Sequence, residues 1–146
     1  MEVLDNWLLR FASRKERTGA SRTMVSVTRE GRIAGYYSLS ASSLVREDAP
    51  SVLARNQPDP IPVILIGRLA VDHAFSGAGL GASLLQHAVL QAIRAAEIIG
   101  MRAILVHALT EDVVTFYERF GFQRFPGSSR ALSLLAGDAR ATVEDL

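Results

Sequence analysis

Three glycines, Gly77, Gly79 and Gly81, fall within five residues in the segment Ser76-Gly77-Ala78-Gly79-Leu80-Gly81. The segment lies between a β-branched apolar run ending at Asp72 and a long helical pattern. A turn of this kind leaves backbone N–H groups sterically accessible, and the first N–H groups of a helix have no intrahelical acceptor. Together with the positive end of the helix dipole they suit a phosphate or pyrophosphate. A bend that binds nothing is the other reading of the same residues. Two phosphate motifs are excluded. A dinucleotide fingerprint needs an acidic residue about 20 positions on, at the end of a second strand, and Glu97 falls within the helix instead. A nucleoside-triphosphate loop ends in Gly-Lys-Ser/Thr, whereas Gly81 is followed by Ala82-Ser83 and the chain's one lysine is Lys15.

These residues need a strand to deliver them and a helix to orient them. Val63–Asp72 reads as that strand, and its alternation places Arg68, Ala70 and Asp72 on one side and Leu69 and Val71 on the other. Gly79–Ile99 reads as the helix, with Leu80, Leu84, Ala88, Ala92 and Ala95 as its apolar stripe and Gly100 as its stop. Ala103–Leu109 follows as a strand, then a helix Glu111–Phe120 capped by Thr110 and ended by Gly121. Phe122–Phe125 and Ala131–Leu135 read as short strands. Upstream, Leu4–Glu16 is an amphipathic helix that buries Leu4, Trp7, Leu8 and Phe11. Thr23–Thr28 is a strand, Glu30-Gly31 a turn, and Ile33–Leu44 a longer strand with room for a bulge. Arg46–Pro60 is expected to be a loop, because its Pro-Asp-Pro tip opposes regular structure. No repeat or boundary interrupts the pattern, so residues 1–146 are expected to form a single domain.

A chain of 146 residues, 49% hydrophobic and 21% charged, fits one globular domain that buries about two-thirds of its unfolded surface. Without cysteine there is no disulfide, thiolate metal site or cysteine nucleophile. His73, His87 and His107 lack metal-ligand spacing, so no metal is expected, and His87 (mid-helix) and His107 (mid-strand) read as structural. There is no basic lead followed by an apolar core, and no apolar run approaches about 20 residues, so a cytoplasmic protein with no membrane segment is expected. The net charge of +1 hides a basic stretch: Arg10, Arg14, Lys15, Arg17, Arg22, Arg29 and Arg32 stand against Glu16 and Glu30. Arg10, Arg14 and Arg17 share one side of a helix. The stretch is either a solvated face or a patch that tracks nucleic-acid phosphates.

Two motifs in order carry a family resemblance. Ser76–Gly81 is similar to the pyrophosphate loop of the Gcn5-related N-acetyltransferases (GNATs), Gln/Arg-x-x-Gly-x-Gly/Ala. Gly79 and Gly81 are its glycines, and Ser76 stands in place of the long donor. Val106-His107-Ala108-Leu109-Thr110 and then Phe116-Tyr117-Glu118-Arg119-Phe120-Gly121-Phe122 resemble the family's later strand, short helix and Tyr-x-x-x-Gly-Phe ending. Further segments (Leu4-Asp5-Asn6-Trp7-Leu8, Ser21-Arg22-Thr23, Gly35-Tyr36-Tyr37-Ser38-Leu39 and Ile61–Asp72) resemble the acetyltransferase toxins of bacterial toxin–antitoxin pairs.

The resemblance implies an α/β (mixed α+β) GNAT fold. Its form is a single mixed, mostly antiparallel sheet with a central parallel splayed strand pair, flanked by helices. The first strand is expected to be missing, because the chain begins inside the region where the family places it. The implied donor is acetyl-CoA, with no metal. Main-chain groups of Leu69, Ala70 and Val71 would meet its pantetheine arm, and Ser76, Gly77, Ala78, Gly79, Leu80, Gly81 and Ala82 its pyrophosphate. Thr110, where relatives carry Asn or Asp, and Phe116 would complete the cofactor site. Tyr117 is the implied catalytic residue, with packing as its alternative role. A phenol of pKa about 10 can hand a proton to a departing thiolate whose thiol has pKa about 8.5, a gain of about 10²–10⁴-fold.

No general base stands out. Freeing a lysine amine of pKa about 10.4 costs roughly 4–5 kcal/mol at neutral pH, whereas an α-amino group starts near about 7.7–8.0. The missing base therefore fits an aminoacyl-tRNA acceptor, which is the toxins' substrate. Arg14, Lys15, Arg17, Arg22 and Arg68 become candidate tRNA contacts, and a ribbon–helix–helix antitoxin and a homodimer the expected partners. The expected function is acetylation of the α-amino group of aminoacyl-tRNA, which blocks translation. The alternatives are a small-molecule or protein N-acetyltransferase, or a catalytically silent acyl-CoA-binding or antitoxin-docking module.

Overall fold

The computed structural model describes residues 19–28, 30–75, 79–127 and 129–145. The helix expected at Leu4–Glu16 lies outside them. In chain order the described elements are β1 (Arg22–Val27), β2 (Ile33–Leu44), α1 (Ser51–Ala54), β3 (Ile61–Val71), α2 (Leu80–Ala96), β4 (Ala103–His107), α3 (Glu111–Arg119), β5 (Gln123–Arg124), β6 (Ala131–Leu135) and α4 (Ala136–Asp145). Single 3₁₀ turns occupy Arg46–Asp48 and His73–Phe75. The described strands form one mixed sheet in the order β1-β2-β3-β4-β6-β5, with β3 and β4 parallel. The pairs β1–β2, β4–β6 and β5–β6 are antiparallel.

The strand–turn–helix order around the glycines is as the periodicity predicts, with ends shifted by a few residues. Two elements are not. Within Arg46–Pro60, expected to be irregular, Ser51–Ala54 closes a helical turn. Pro50 precedes it, at a helix start where a proline costs nothing, while Pro58 and Pro60 lie beyond its end. Arg102 Nε donates to the Leu53 carbonyl (3.0 Å) and Nη2 to the Val52 carbonyl (2.9 Å), satisfying oxygens that the short helix cannot pair itself. The second is α4, which carries no apolar stripe to announce it. It begins where the Ala136 N–H donates to the Arg102 carbonyl (3.0 Å), and it buries Ala139 completely. The irregularity expected in Ile33–Leu44 lies near its start. Ser26 pairs with Gly35 but Val27 with Ile33, which leaves Ala34 as the extra residue.

The chain forms two compact units, and β2, β3 and α2 each run through both. The first holds the described residues up to Ser40 together with Ile66–Ala88. Here Tyr36 and Tyr37 are completely buried, and α2 presses Leu84, Leu85 and Ala88 inward. Gly35 permits that approach: a Cβ there would stand 2.8 Å from the Ala70 carbonyl oxygen and 2.8 Å from Leu84 Cδ1. The Tyr37 hydroxyl is hydrogen-bonded to Nδ1 of His87, tying β2 to the middle of α2. The second unit holds Ala41–Leu65 and Val89 onward. Its core is a cluster of Leu53, Ile61, Val63, Ala103, Leu105, Phe125 and Ala131. Such fully buried aliphatic side chains contribute about 1.5–3 kcal/mol each relative to exposure.

Candidate active site

The glycine turn is built from the strand that precedes it and the helix that follows. Gly79 has φ +80°, a left-handed conformation that costs a side-chain-bearing residue about 1–2 kcal/mol, and among the described residues outside its chain neighbours none has an atom within 4 Å of where its Cβ would be. The Gly79 carbonyl accepts the Ser83 N–H (3.1 Å), the first bond of α2. The N–H groups of Leu80, Gly81 and Ala82 are therefore those without intrahelical acceptors, and they point out of the helix start. A left-handed Gly79 and three donors at the positive end of a 17-residue helix fit a pyrophosphate. Ser76, Gly77 and Ala78 lie outside the described residues. Leu69, Ala70 and Val71 occupy the end of β3, with Ala70 buried and its neighbours half-buried, as alternation requires.

A pair of residues not anticipated as part of a site stands just before this turn. Asp72 Oδ1 accepts the Ala74 N–H at 2.8 Å and Arg32 Nη2 at 3.2 Å. The Ala74 amide first, then the nearby charges of Arg32 and His73, hold the Asp72 carboxyl below the usual range against the opposing effect of desolvation. The sequence offered one signal, an Asp two residues before an amide it could cap. Its partner Arg32 is 40 positions away and had no signal.

In the second unit, Thr110 caps α3: its hydroxyl accepts the Val113 N–H at 3.3 Å. Tyr117 projects from that helix with 5% of its surface exposed. Its ring is 5.3 Å from Phe116, edge-on, and 5.3 Å from Phe122. Burial pushes the phenol up to about 12, so it holds its proton throughout the neutral range. Phe116 is half-buried and also meets Phe120 edge-on at 5.2 Å. The start of the helix is clamped from outside. Arg124 grips both Glu111 carboxylate oxygens (2.8 and 3.1 Å), and Arg130 Nε donates to one of them at 3.2 Å. Hydrogen bonding to Arg124 leads the causes that lower the Glu111 pKa. The Glu111 carboxylate is thus paired with two arginines.

Of the candidate tRNA contacts, Arg22 and Arg68 lie within the described residues, on separate strands. Arg22 is exposed on β1, and Arg68 is half-buried on β3, where its Nη1 donates to the Gly67 carbonyl at 3.3 Å; β2 lies between the two strands. Arg14, Lys15 and Arg17 lie outside the described residues. His107, expected mid-strand, is exposed at the end of β4, and His87 is engaged by Tyr37. Among the described residues no cluster of three His, Asp or Glu could hold a metal, and no helix is long and apolar enough to cross a membrane.

Comparison with known proteins agrees with this geometry. Residues 20–124 match the acetyltransferase (GNAT) domain. A tRNA-acetylating toxin of Mycobacterium tuberculosis (strain ATCC 25618 / H37Rv) is 45% identical over 142 residues, which cover 97% of this chain and 85% of that protein. The solved structure of AtaT complexed with acetyl-methionyl-tRNAfMet superposes with a TM-score of 0.87 at 29% identity, over 97% of this chain and 86% of that one. A Tyr-to-Phe mutant of the AtaT toxin, bound to the C-terminus of the antitoxin AtaR and acetyl-CoA, superposes at 0.80 with 28% identity, over 97% and 84%. A domain match running from β1 to β5, through the glycine turn and the helix of Tyr117, shows that the chain belongs to the GNAT acetyltransferases.

Proposed function

We propose that this protein is an acetyl-CoA-dependent N-acetyltransferase that acetylates the α-amino group of aminoacyl-tRNA and so acts as a toxin that blocks translation. The observation that carries this reading is the 45% identity, over nearly the whole chain, to a tRNA-acetylating toxin. Acetyl-CoA supplies the acetyl group as an activated thioester. The amides of Leu80, Gly81 and Ala82 hold its pyrophosphate, and the end of β3 at Leu69–Val71 offers main-chain partners to its pantetheine arm. Thr110 and Phe116 line the donor side of α3. Tyr117 holds its proton at neutral pH and delivers it to the departing sulfur. An α-amino acceptor is largely neutral without help, which accounts for a site with no assigned base.

A ribbon–helix–helix antitoxin and a homodimer complete the proposal, the first motivated by the antitoxin complex of the AtaT neighbour. Acetylation of a small cationic amine is the weaker reading. Glu111, an acidic group that could attract one, is already paired with Arg124 and Arg130.

The test is transfer of radiolabelled acetyl from acetyl-CoA to charged tRNA, to the same tRNA deacylated, and to free amines. Label on the charged tRNA alone, released with the amino acid on ester hydrolysis, is the expected result. Label confined to free amines or proteins would overturn the reading. Replacing Arg14, Lys15 and Arg17 together by Ala should weaken tRNA binding and flatten its salt dependence.

A further inference from the structure

We infer that Asp72 is a positioning residue for donor binding: it ties the end of β3 to the β1–β2 hairpin and sets the direction in which the chain leaves the strand through His73–Phe75. The inference rests on the acetyl-CoA reading above and names what prepares that same site. Three bonds converge on one residue. The Asp72 N–H donates to the Ala34 carbonyl at 2.8 Å, completing the strand, while Oδ1 accepts both the Ala74 N–H at 2.8 Å and Arg32 Nη2 at 3.2 Å. The carboxylate thus ends the strand and starts the following turn, as a capping side chain does at a helix.

Arg32 is itself held in the hairpin. Its N–H donates to Thr28 Oγ1 at 3.1 Å, and its carbonyl accepts the Thr28 N–H at 2.8 Å. Among the described residues, Arg32 from the hairpin and His73 from its own segment act electrostatically on the carboxylate. Paired with Arg32, the carboxylate adds little net repulsion toward a phosphate bound further along the chain. Asp72 acts through the backbone it fixes at the end of β3 and at Ala74, on the approach to the start of α2. Its effect should therefore fall on the pyrophosphate and not on the acetyl group.

Two donors separate these possibilities: acetyl-CoA, and S-acetyl-pantetheine, which lacks the pyrophosphate. Asp72→Ala should raise the KM for acetyl-CoA about fivefold, the scale of losing one cap. Its kcat should stay within about twofold, and the KM for S-acetyl-pantetheine should not change. Asp72→Asn keeps an acceptor for the Ala74 N–H and should recover most of the loss, whereas Arg32→Ala should fall between the two. These milder variants carry the test if Asp72→Ala does not fold. An unchanged acetyl-CoA KM in all three, or an equal rise for both donors, would overturn the role of Asp72. A parent protein that neither binds nor uses acetyl-CoA would instead overturn the donor reading on which it rests.

Discussion

Gly35 of β2 and Leu84 of α2 meet so closely that a Cβ at position 35 would lie 2.8 Å from Leu84 Cδ1, with the Ala70 carbonyl oxygen at the same distance on the other side. The leucine could turn away, but the carbonyl belongs to β3 and cannot. Gly35→Ala should therefore cost about 1–3 kcal/mol, the usual effect of overpacking. It should also weaken acetyl-CoA binding, since the helix start that carries Leu80, Gly81 and Ala82 must move with Leu84. Urea denaturation and calorimetry on one preparation measure both. Unchanged stability would mean that the helix relaxes without strain.

At Gly79 the constraint is conformational, set by its φ of +80°. Gly79→Asn, a residue that tolerates left-handed φ, should keep most of the acetyl-CoA affinity. Gly79→Asp has nearly the same shape but adds a negative charge beside the pyrophosphate, and its binding should fall below detection by calorimetry. Equal affinity in the two variants would place the pyrophosphate elsewhere.

Tyr117→Phe keeps the ring between Phe116 and Phe122 and removes only the hydroxyl. Turnover with charged tRNA should fall about 10²-fold or more, while acetyl-CoA affinity stays nearly the same. Because the phenol is pushed up to about 12, it remains protonated across the physiological range and should impose no alkaline fall in rate below about pH 10. The rising limb of the parent's pH profile then belongs to the acceptor amine. A fall in rate centred near pH 8 that vanished in Tyr117→Phe would contradict this assignment.

The same buried phenols make stability sensitive to alkali. Burial pushes Tyr37 as well as Tyr117 to about 12, whereas both titrate near 10 in the unfolded chain. The neutral form is favoured by folding, so this stabilisation is fully present below pH 10 and is lost as pH rises from 10 to 12. The slope is about 1.4 kcal/mol per pH unit for each tyrosine. Urea unfolding at pH 9, 10 and 11 should show the fall beginning near 10, and Tyr117→Phe should make it shallower.

The features visible in the sequence are those decided by near neighbours. The glycines at 77, 79 and 81 announce an accessible turn, and the left-handed φ at Gly79 is one that the missing side chain permits, which needs no knowledge of the fold. The alternation of β3 and the stripe of α2 follow from periods of 2 and 3.6 residues, so the strand and helix on either side of the proposed donor site could be read directly. Thr110 could be seen as a cap because its partner, Val113, lies three positions on.

What the tertiary structure decided depends on partners far along the chain. Arg32 reaches Asp72 across 40 positions and His87 reaches Tyr37 across 50, through strand pairing and helix docking that no local pattern encodes. Arg102 completes a four-residue helix at Ser51–Ala54 that its own sequence could not sustain, because so short a helix leaves its last carbonyls unpaired. The proton affinity of Tyr117 is likewise decided only on folding. The residue type supplies a phenol near pKa 10, and burial of the whole ring removes the water that would stabilise its anion.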